Sequence, residues 1–262
     1  MTELPHESTI RLAAFLGVLT LMAIWELAAP HRRAEVPRLI RWANNLALVA
    51  VDTAILRLVF PVLATGAAVW AAAQGVGLLN ILAAPAWLAV PLGILLLDFA
   101  IWGQHVVFHK VPALCRLHRM HHADPAMDVT TALRFHPLEI LLSMAIKIAL
   151  VVALGLPPVA VLVFEVILNA TALFTHSNVA LPARLERALR RVIVTPEMHR
   201  IHHSDRRDET DSNYGFALSI WDHALGTHRV QAAGPIRFGI GIYGGLRDQW
   251  LDRLIAQPFR RR

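Results

Sequence analysis

The sequence predicts an all-α integral membrane protein, with four to five transmembrane or membrane-embedded helices and a cytoplasmic, histidine-rich helical cap. Three observations carry that expectation. Hydrophobic residues make up 56% of the 262 and charged residues only 17%, against roughly a quarter charged in soluble domains. The apolar residues gather into blocks at least as long as the about 20 residues that a spanning helix needs, and mean hydropathy is +0.49. The 14 histidines are clustered, and 25 Lys and Arg outnumber 19 Asp and Glu. The same figures exclude a disordered chain and, with Cys115 as the one cysteine, a disulfide scaffold. They also argue against a nucleic-acid partner, because the basic residues accompany apolar runs instead of forming a soluble basic face.

The first apolar block covers 10–29, with Arg11 and Glu26 near its ends. The segment before it, 1–9, is acidic, and Arg32 and Arg33 follow it. A cleaved leader has the reverse charge order, so a retained helix with its N-terminus outside is expected. The second block, 46–73, contains Asp52 and Arg57 and should be one helix kinked at Pro61. A turn at 74–77 leads into the third block, 78–102, with further kinks at Pro85 and Pro91. The fourth, 138–175, is divided at Gly155-Leu156-Pro157-Pro158, which reads as a tight turn between two helices. Nothing after His176 is long or apolar enough to span.

The basic residues orient these helices. The 30–45 loop, the 103–136 segment and the 177–262 tail hold 22 of the 25 Lys and Arg. The 74–77 and 155–158 turns hold none. The positive-inside rule therefore puts the histidine-rich regions and the C-terminus in the cytoplasm. Composition leans toward a bacterial inner membrane.

Nine histidines form a spaced pattern. His105 and His109 are four apart at the end of the third block; His118, His121 and His122 follow as HRMHH; His199, His202 and His203 repeat that spacing as HRIHH; His176 ends the last apolar helix. Positions i, i+3 and i+4 share a helix face, so each cluster can aim two or three imidazoles at one point. Neutral imidazole is the commonest metal ligand, and so many exceed what one metal uses. A dinuclear, all-histidine site at a membrane face is expected. Ligand type leaves iron, zinc and copper open. Headgroup contacts by interfacial histidines are the bland alternative, and a haem would leave most of these residues unexplained.

The pattern resembles the fatty acid hydroxylase/sterol desaturase superfamily of membrane di-iron oxygenases over about 95–228. Further matches are Asp98 to Trp102 (DFAIW), Arg134 to Pro137 (RFHP), Phe174 to Asn178 (FTHSN), Thr195-Pro196, Asp211 to Gly215 (DSNYG), Trp221-Asp222 and Gly226-Thr227. The resemblance implies a non-haem centre of two iron ions, with zinc or another metal as alternative. It implies O2-dependent hydroxylation or desaturation of a lipid C–H bond (fatty acyl, alkyl, sterol or isoprenoid). It also implies electrons from a separate ferredoxin- or cytochrome b5-like protein. By motif position, His105, His109, His118, His121, His122, His176, His199, His202 and His203 would be the ligands. His136 is a candidate tenth; some relatives have a histidine four residues before His176, where this chain has Ala172. The implied division is N-terminal transmembrane helices over 1–95, a di-iron catalytic domain over 96–228 and a basic cytoplasmic tail over 229–262. Alternatives are a membrane zinc hydrolase and a non-catalytic member that binds metal or lipid.

Several polar residues accompany the ligand set. Asp98 shares a helical face with Trp102, His105 and His109 and is expected to accept the outer N–H of a ligand imidazole; a helix contact to Arg57 is its alternative. Asn169 and Asn213, with Asp222, are candidates for the same role, and Glu165 for that or a packing one. Cys115, His223 and His228 read as structural, and His6 and His31 as incidental. The stretch 182–191 (PARLERALRR) and the closing Arg260 to Arg262 read as basic surface for lipid headgroups, an electron donor or solvent.

Overall fold

The computed structural model describes residues 6–33 and 36–260. Residues 1–5, 34–35 and 261–262 lie outside that description, and with them parts of the acidic N-terminal segment, of the 30–45 loop and of the arginine end. Among the described residues there are no strands, only two isolated bridges. Five helical segments are long and apolar enough to cross a membrane.

The first is helix α1 (Glu7–Ala28), and the second, Arg38–Ile81, begins with α2 (Arg38–Val59). The second apolar block does not form one kinked helix. It breaks after Val59, and α3 (Ala64–Gln74) restarts four residues beyond Phe60. Pro61 lacks the N–H a continuing helix needs, and it drives Phe60 to an extended φ of −114° and ψ of 95°. Pro85 likewise separates the single turn α4 (Leu78–Ile81) from α5 (Ala86–Lys110) and caps the latter. Pro91 stays inside α5. Val111, extended, turns the chain into α6 (Pro112–His122), with proline at the first helical position where its missing N–H costs nothing. Helices α7 (Pro137–Leu154) and α8 (Pro158–His176) form the expected hairpin, closed by Gly155 at φ 64°.

The helix ends segregate. At one end the 74–77 and 155–158 turns interlock: Gly77 has φ 93°, and a Cβ there would overlap the Gly155 backbone. At the other, His31 N–H donates to the Asn178 carbonyl (2.8 Å) and Glu26 accepts the Val129 and Asn178 N–H groups (3.0 Å each). All the histidine clusters lie at this second end. Between the ends, small residues such as Ala64, Ala68 and Ala89 let backbones approach around Leu97, Val151, Leu156 and Phe164. Trp87, Ile81, Leu58 and Leu12 are exposed on the outer faces, as lipid-facing side chains are.

Two of the three basic residues outside the topological count, Arg11 and Lys147, pair with Glu165. Its Oε2 is 2.5 Å from Arg11 Nη2 and its Oε1 2.6 Å from Lys147 Nζ. Glu165 therefore ties α1, α7 and α8 together inside the spanning region. The third, Arg57, is exposed and does not meet Asp98.

The cap consists of α6 and the short helices α9 (Ala183–Leu189), α10 (Pro196–His202), α11 (Arg207–Thr210), α12 (Ile220–Ala224) and α13 (Leu251–Ala256). The 229–260 segment folds back onto this cap. Leu254 is fully buried with Leu48 of α2 and Met120 of α6, and Arg119 donates to the Gln257 carbonyl.

Candidate metal centre

Four elements deliver the nine patterned histidines to one place. His105 and His109 come from the last turns of α5, His118, His121 and His122 from α6, His176 from the end of α8, and His199, His202 and His203 from α10 and its C-cap. All nine are buried. They form two groups, His105, His109, His118, His122 and His202 in one and His121, His176, His199 and His203 in the other. Within each group one donor nitrogen per residue lies within 4.8 Å of every other.

The split runs across the sequence clusters. In α6 the i, i+4 pair His118 and His122 joins the five-histidine group and His121 the other; in α10 the pair His199 and His203 joins the four-histidine group and His202 the other. Neighbouring helical residues differ by about 100° in direction. Each HxxHH therefore serves both groups instead of aiming at one point.

Metal binding fits the donor atoms. His105 Nε2 is 3.1 Å from His118 Nε2, 3.2 Å from His109 Nε2 and 3.1 Å from His202 Nε2. In the other group, His176 Nε2 is 3.0 Å from His121 Nε2 and 2.9 Å from His199 Nε2. Nitrogens about 2.1 Å from one shared ion, at right to tetrahedral angles, stand roughly 3.0–3.4 Å apart. Both ring nitrogens of His122, and Nε2 of His203, are buried without a hydrogen-bond partner, an expensive state that a cation on one His122 nitrogen and on His203 Nε2 would largely relieve. Burial first, then neighbouring imidazoles, pushes His121, His122, His199 and His203 well below the usual histidine range. For His202 the same two causes outweigh its bond to Ser212. That favours the neutral form that a ligand must have.

The outer nitrogens of four rings are fixed. His105 Nδ1–H donates to the Tyr214 carbonyl (2.7 Å), His202 Nδ1–H to Ser212 (2.8 Å), and His176 Nδ1–H to Ala172 (2.7 Å). His118 Nδ1–H donates to a carboxylate, Glu139 Oε1, at 2.7 Å. Each bond leaves Nε2 with its lone pair facing the group.

The residues expected behind the ligands act elsewhere or at one remove. Asp98 accepts from Trp221 Nε1 (2.7 Å) and the Leu218 N–H (3.3 Å), not from a histidine; it anchors α12 to α5. Asn169 donates to the Glu165 carbonyl of its own helix. Asn213 has φ 51°, donates to the Met198 and Arg229 carbonyls and accepts the Arg229 N–H. Asp222 accepts the Tyr214 and Gly215 N–H groups and Trp102 Nε1. These two hold the loop whose carbonyls orient His105 and His202. His136 belongs to neither group: its Nδ1 accepts the Leu138 N–H and its Nε2 donates to the Ile255 carbonyl, so no lone pair is left for a metal. His223 and His228 lie against each other outside both groups, with tilted rings whose centroids are 3.9 Å apart.

Sequence reasoning missed Glu139, three residues after the candidate tenth ligand His136, although a carboxylate in the first turn of an apolar helix was a signal. It also missed the support under α6. Arg41, fully buried on α2, binds Asp124 through two nitrogens (2.7 and 2.8 Å) and Asp128 through a third (2.5 Å). Burial pushes the Asp124 carboxyl up, but the Arg41 and Arg134 charges outweigh it and hold the group below the usual carboxylate range.

The ornithine lipid hydroxylase OlsE of Rhizobium tropici is 33% identical over 173 residues, 66% of this chain and 51% of that one. The human alkylglycerol monooxygenase is 31% identical over 148 residues, 55% of this chain and 31% of its own, and the Danio rerio enzyme 30% over 176 residues, 66% and 36%. The chain thus spans about half of the first relative and about a third of the others. No solved structure matches it significantly. The family model described as fatty acid hydroxylase matches residues 90–227, more than half of the chain and all nine grouped histidines, and the chain belongs to that family.

Proposed function

We propose that this protein is a membrane-bound, non-haem di-iron oxygenase that hydroxylates a C–H bond of an acyl or alkyl lipid with O2. The observation that carries the reading is the convergence of nine buried histidines into two adjacent groups at one end of spanning helices. The relatives support oxygen insertion by their names, hydroxylase and monooxygenase. That favours hydroxylation over desaturation and oxygenase over zinc hydrolase.

Bound iron would supply O2 activation and hydrogen abstraction. The chain's own residues do the rest. The five- and four-histidine groups hold the two ions, with Tyr214, Ser212, Ala172 and Glu139 fixing ring orientation. Phe135 stacks on His121 with ring centroids 4.5 Å apart, and Phe216 lies 4.8 Å from the His105 ring; both keep water from the imidazoles. The lipid chain enters from the bilayer between apolar helices. The cap faces the cytoplasm of a bacterial inner membrane, following the basic residues, and there receives electrons from a separate ferredoxin- or cytochrome b5-like protein.

Comparative lipid profiling under isotopically heavy O2 tests the reading. Cells with the wild-type chain should carry one lipid class bearing a heavy oxygen, which cells with His202→Ala lack. Purified protein that contains zinc and no iron after iron-replete growth, with unchanged lipids, overturns it.

A further inference from the structure

The two histidine groups are backed differently. In the five-histidine group, His118 donates its outer N–H to the Glu139 carboxylate, and His109 Nδ1 lies 3.9 Å from Asp211 Oδ1. Asp52 of α2 is also buried and lies within electrostatic reach of Glu139. Asp52 Oδ1 and Glu139 Oε2 both lack a hydrogen-bond partner, and neither side chain is paired with Lys or Arg among the described residues. In the four-histidine group the one fixed outer nitrogen donates to a neutral acceptor, the Ala172 carbonyl. The Nδ1 atoms of His121 and His199 have no partner.

Two buried carboxyl groups, one of them hydrogen-bonded to the His118 ring, are costly in their ionised form unless a cation lies close by. A carboxylate behind a ligand imidazole makes that imidazole a stronger donor and locks its ring. Among the described residues, the carboxylate hydrogen-bonded directly to a grouped imidazole lies on the five-histidine side. We infer that the two metal positions are unequal, and that Glu139 is the positioning residue that makes the five-histidine position the tighter one. Glu139 sits in the first turn of α7. It therefore couples a spanning helix to the cap through His118, a link no other α7 side chain makes to the nine histidines in the hydrogen bonds described. The inference rests on reading the two groups as iron sites.

The test is stepwise removal of iron from detergent-purified protein loaded anaerobically with Fe(II), read by iron per chain and by Mössbauer spectroscopy. Wild-type protein should bind two irons with distinct quadrupole doublets and lose them to a chelator in two steps. His199→Ala should remove the looser step and His118→Ala the tighter, which assigns each step to its group. Glu139→Leu should weaken the tighter step about 10–100-fold, the usual scale for losing such a partner, and leave the looser doublet unchanged. Glu139→Gln retains an acceptor without the charge; its tighter step should weaken less than in Glu139→Leu, and it keeps the test sound if Glu139→Leu does not fold. Asp52→Asn should shift the same step by a smaller factor. Two irons that leave wild-type protein together, or a Glu139→Gln change confined to the four-histidine doublet, overturn this inference and spare the proposed function. Wild-type protein that binds no iron overturns both.

Discussion

At the far end of the bundle, two turns meet backbone to backbone through Gly77 and Gly155, among alanines and leucines. At the histidine end many of the buried groups are polar: nine imidazoles, Arg41 with Asp124 and Asp128, Arg134, Glu26 and Glu139 are all buried. The far end needs only shape, so small residues suffice. The histidine end must hold nine buried rings at fixed angles, and its buried polar groups need partners. Substitutions at the far end should therefore change stability alone. Substitutions at the histidine end should change metal content and chemistry as well.

The largest expected effect is at the imidazoles. Replacing His121 or His202 by Ala removes a donor from the four- or five-histidine group respectively. Product formation should fall by more than the 10–100-fold that loss of an outer partner alone causes, with helical content by circular dichroism preserved. Iron content with equal losses at both groups in each variant would argue against two separate positions.

Next is Arg41→Met, which strands Asp124 and Asp128 in a buried pocket. Breaking a buried ion pair costs about 3–5 kcal/mol, measurable as a lowered thermal midpoint in detergent. Because Asp124 lies two residues after His122, iron should be lost along with stability. The far-end counterpart is Gly77→Val. Its positive φ and the overlap with Gly155 should cost about 1–3 kcal/mol or more, while iron per folded chain stays at the wild-type value. If Gly77→Val lost iron while remaining folded, the two ends would not be independent.

The smallest effect is expected at Asn213→Ala. The variant loses hydrogen bonds worth roughly 0.5–1.5 kcal/mol each and disfavours the positive φ. Iron retention should weaken a fewfold, because the loop carbonyls that hold His105 and His202 become mobile. A change confined to the four-histidine position would contradict that route.

What the sequence made legible follows from how local each signal is. The presence of the spans, though not the breaks at Pro61 and Pro85, and the α7–α8 hairpin were readable because apolar runs and Gly-Leu-Pro-Pro act over neighbouring residues. The nine histidines were readable for the same reason. Their crosswise sorting was not, since it depends on how α6 and α10 are rotated toward each other. Arg41 and Asp124 are 83 residues apart, and nothing local joins them. Asp98 shares the correct face with His105, yet its oxygen reaches Trp221, a partner 123 positions away. His136 carried the right residue type beside the right motif, but as a helix cap it spends both nitrogens on backbone groups. The packing of Leu254 against Leu48 and Met120 was likewise invisible, because a six-residue helix shows too little periodicity.

The central claim is that the nine histidines form two iron positions that act together. Titrating metal-free protein with Fe(II) while following hydroxylated lipid formed from isotopically heavy O2, with an added electron donor, tests it most directly. The account predicts product that rises only as the second iron per chain is bound and that carries the heavy oxygen. Full activity with one metal per chain, or product without oxygen from O2, would contradict it.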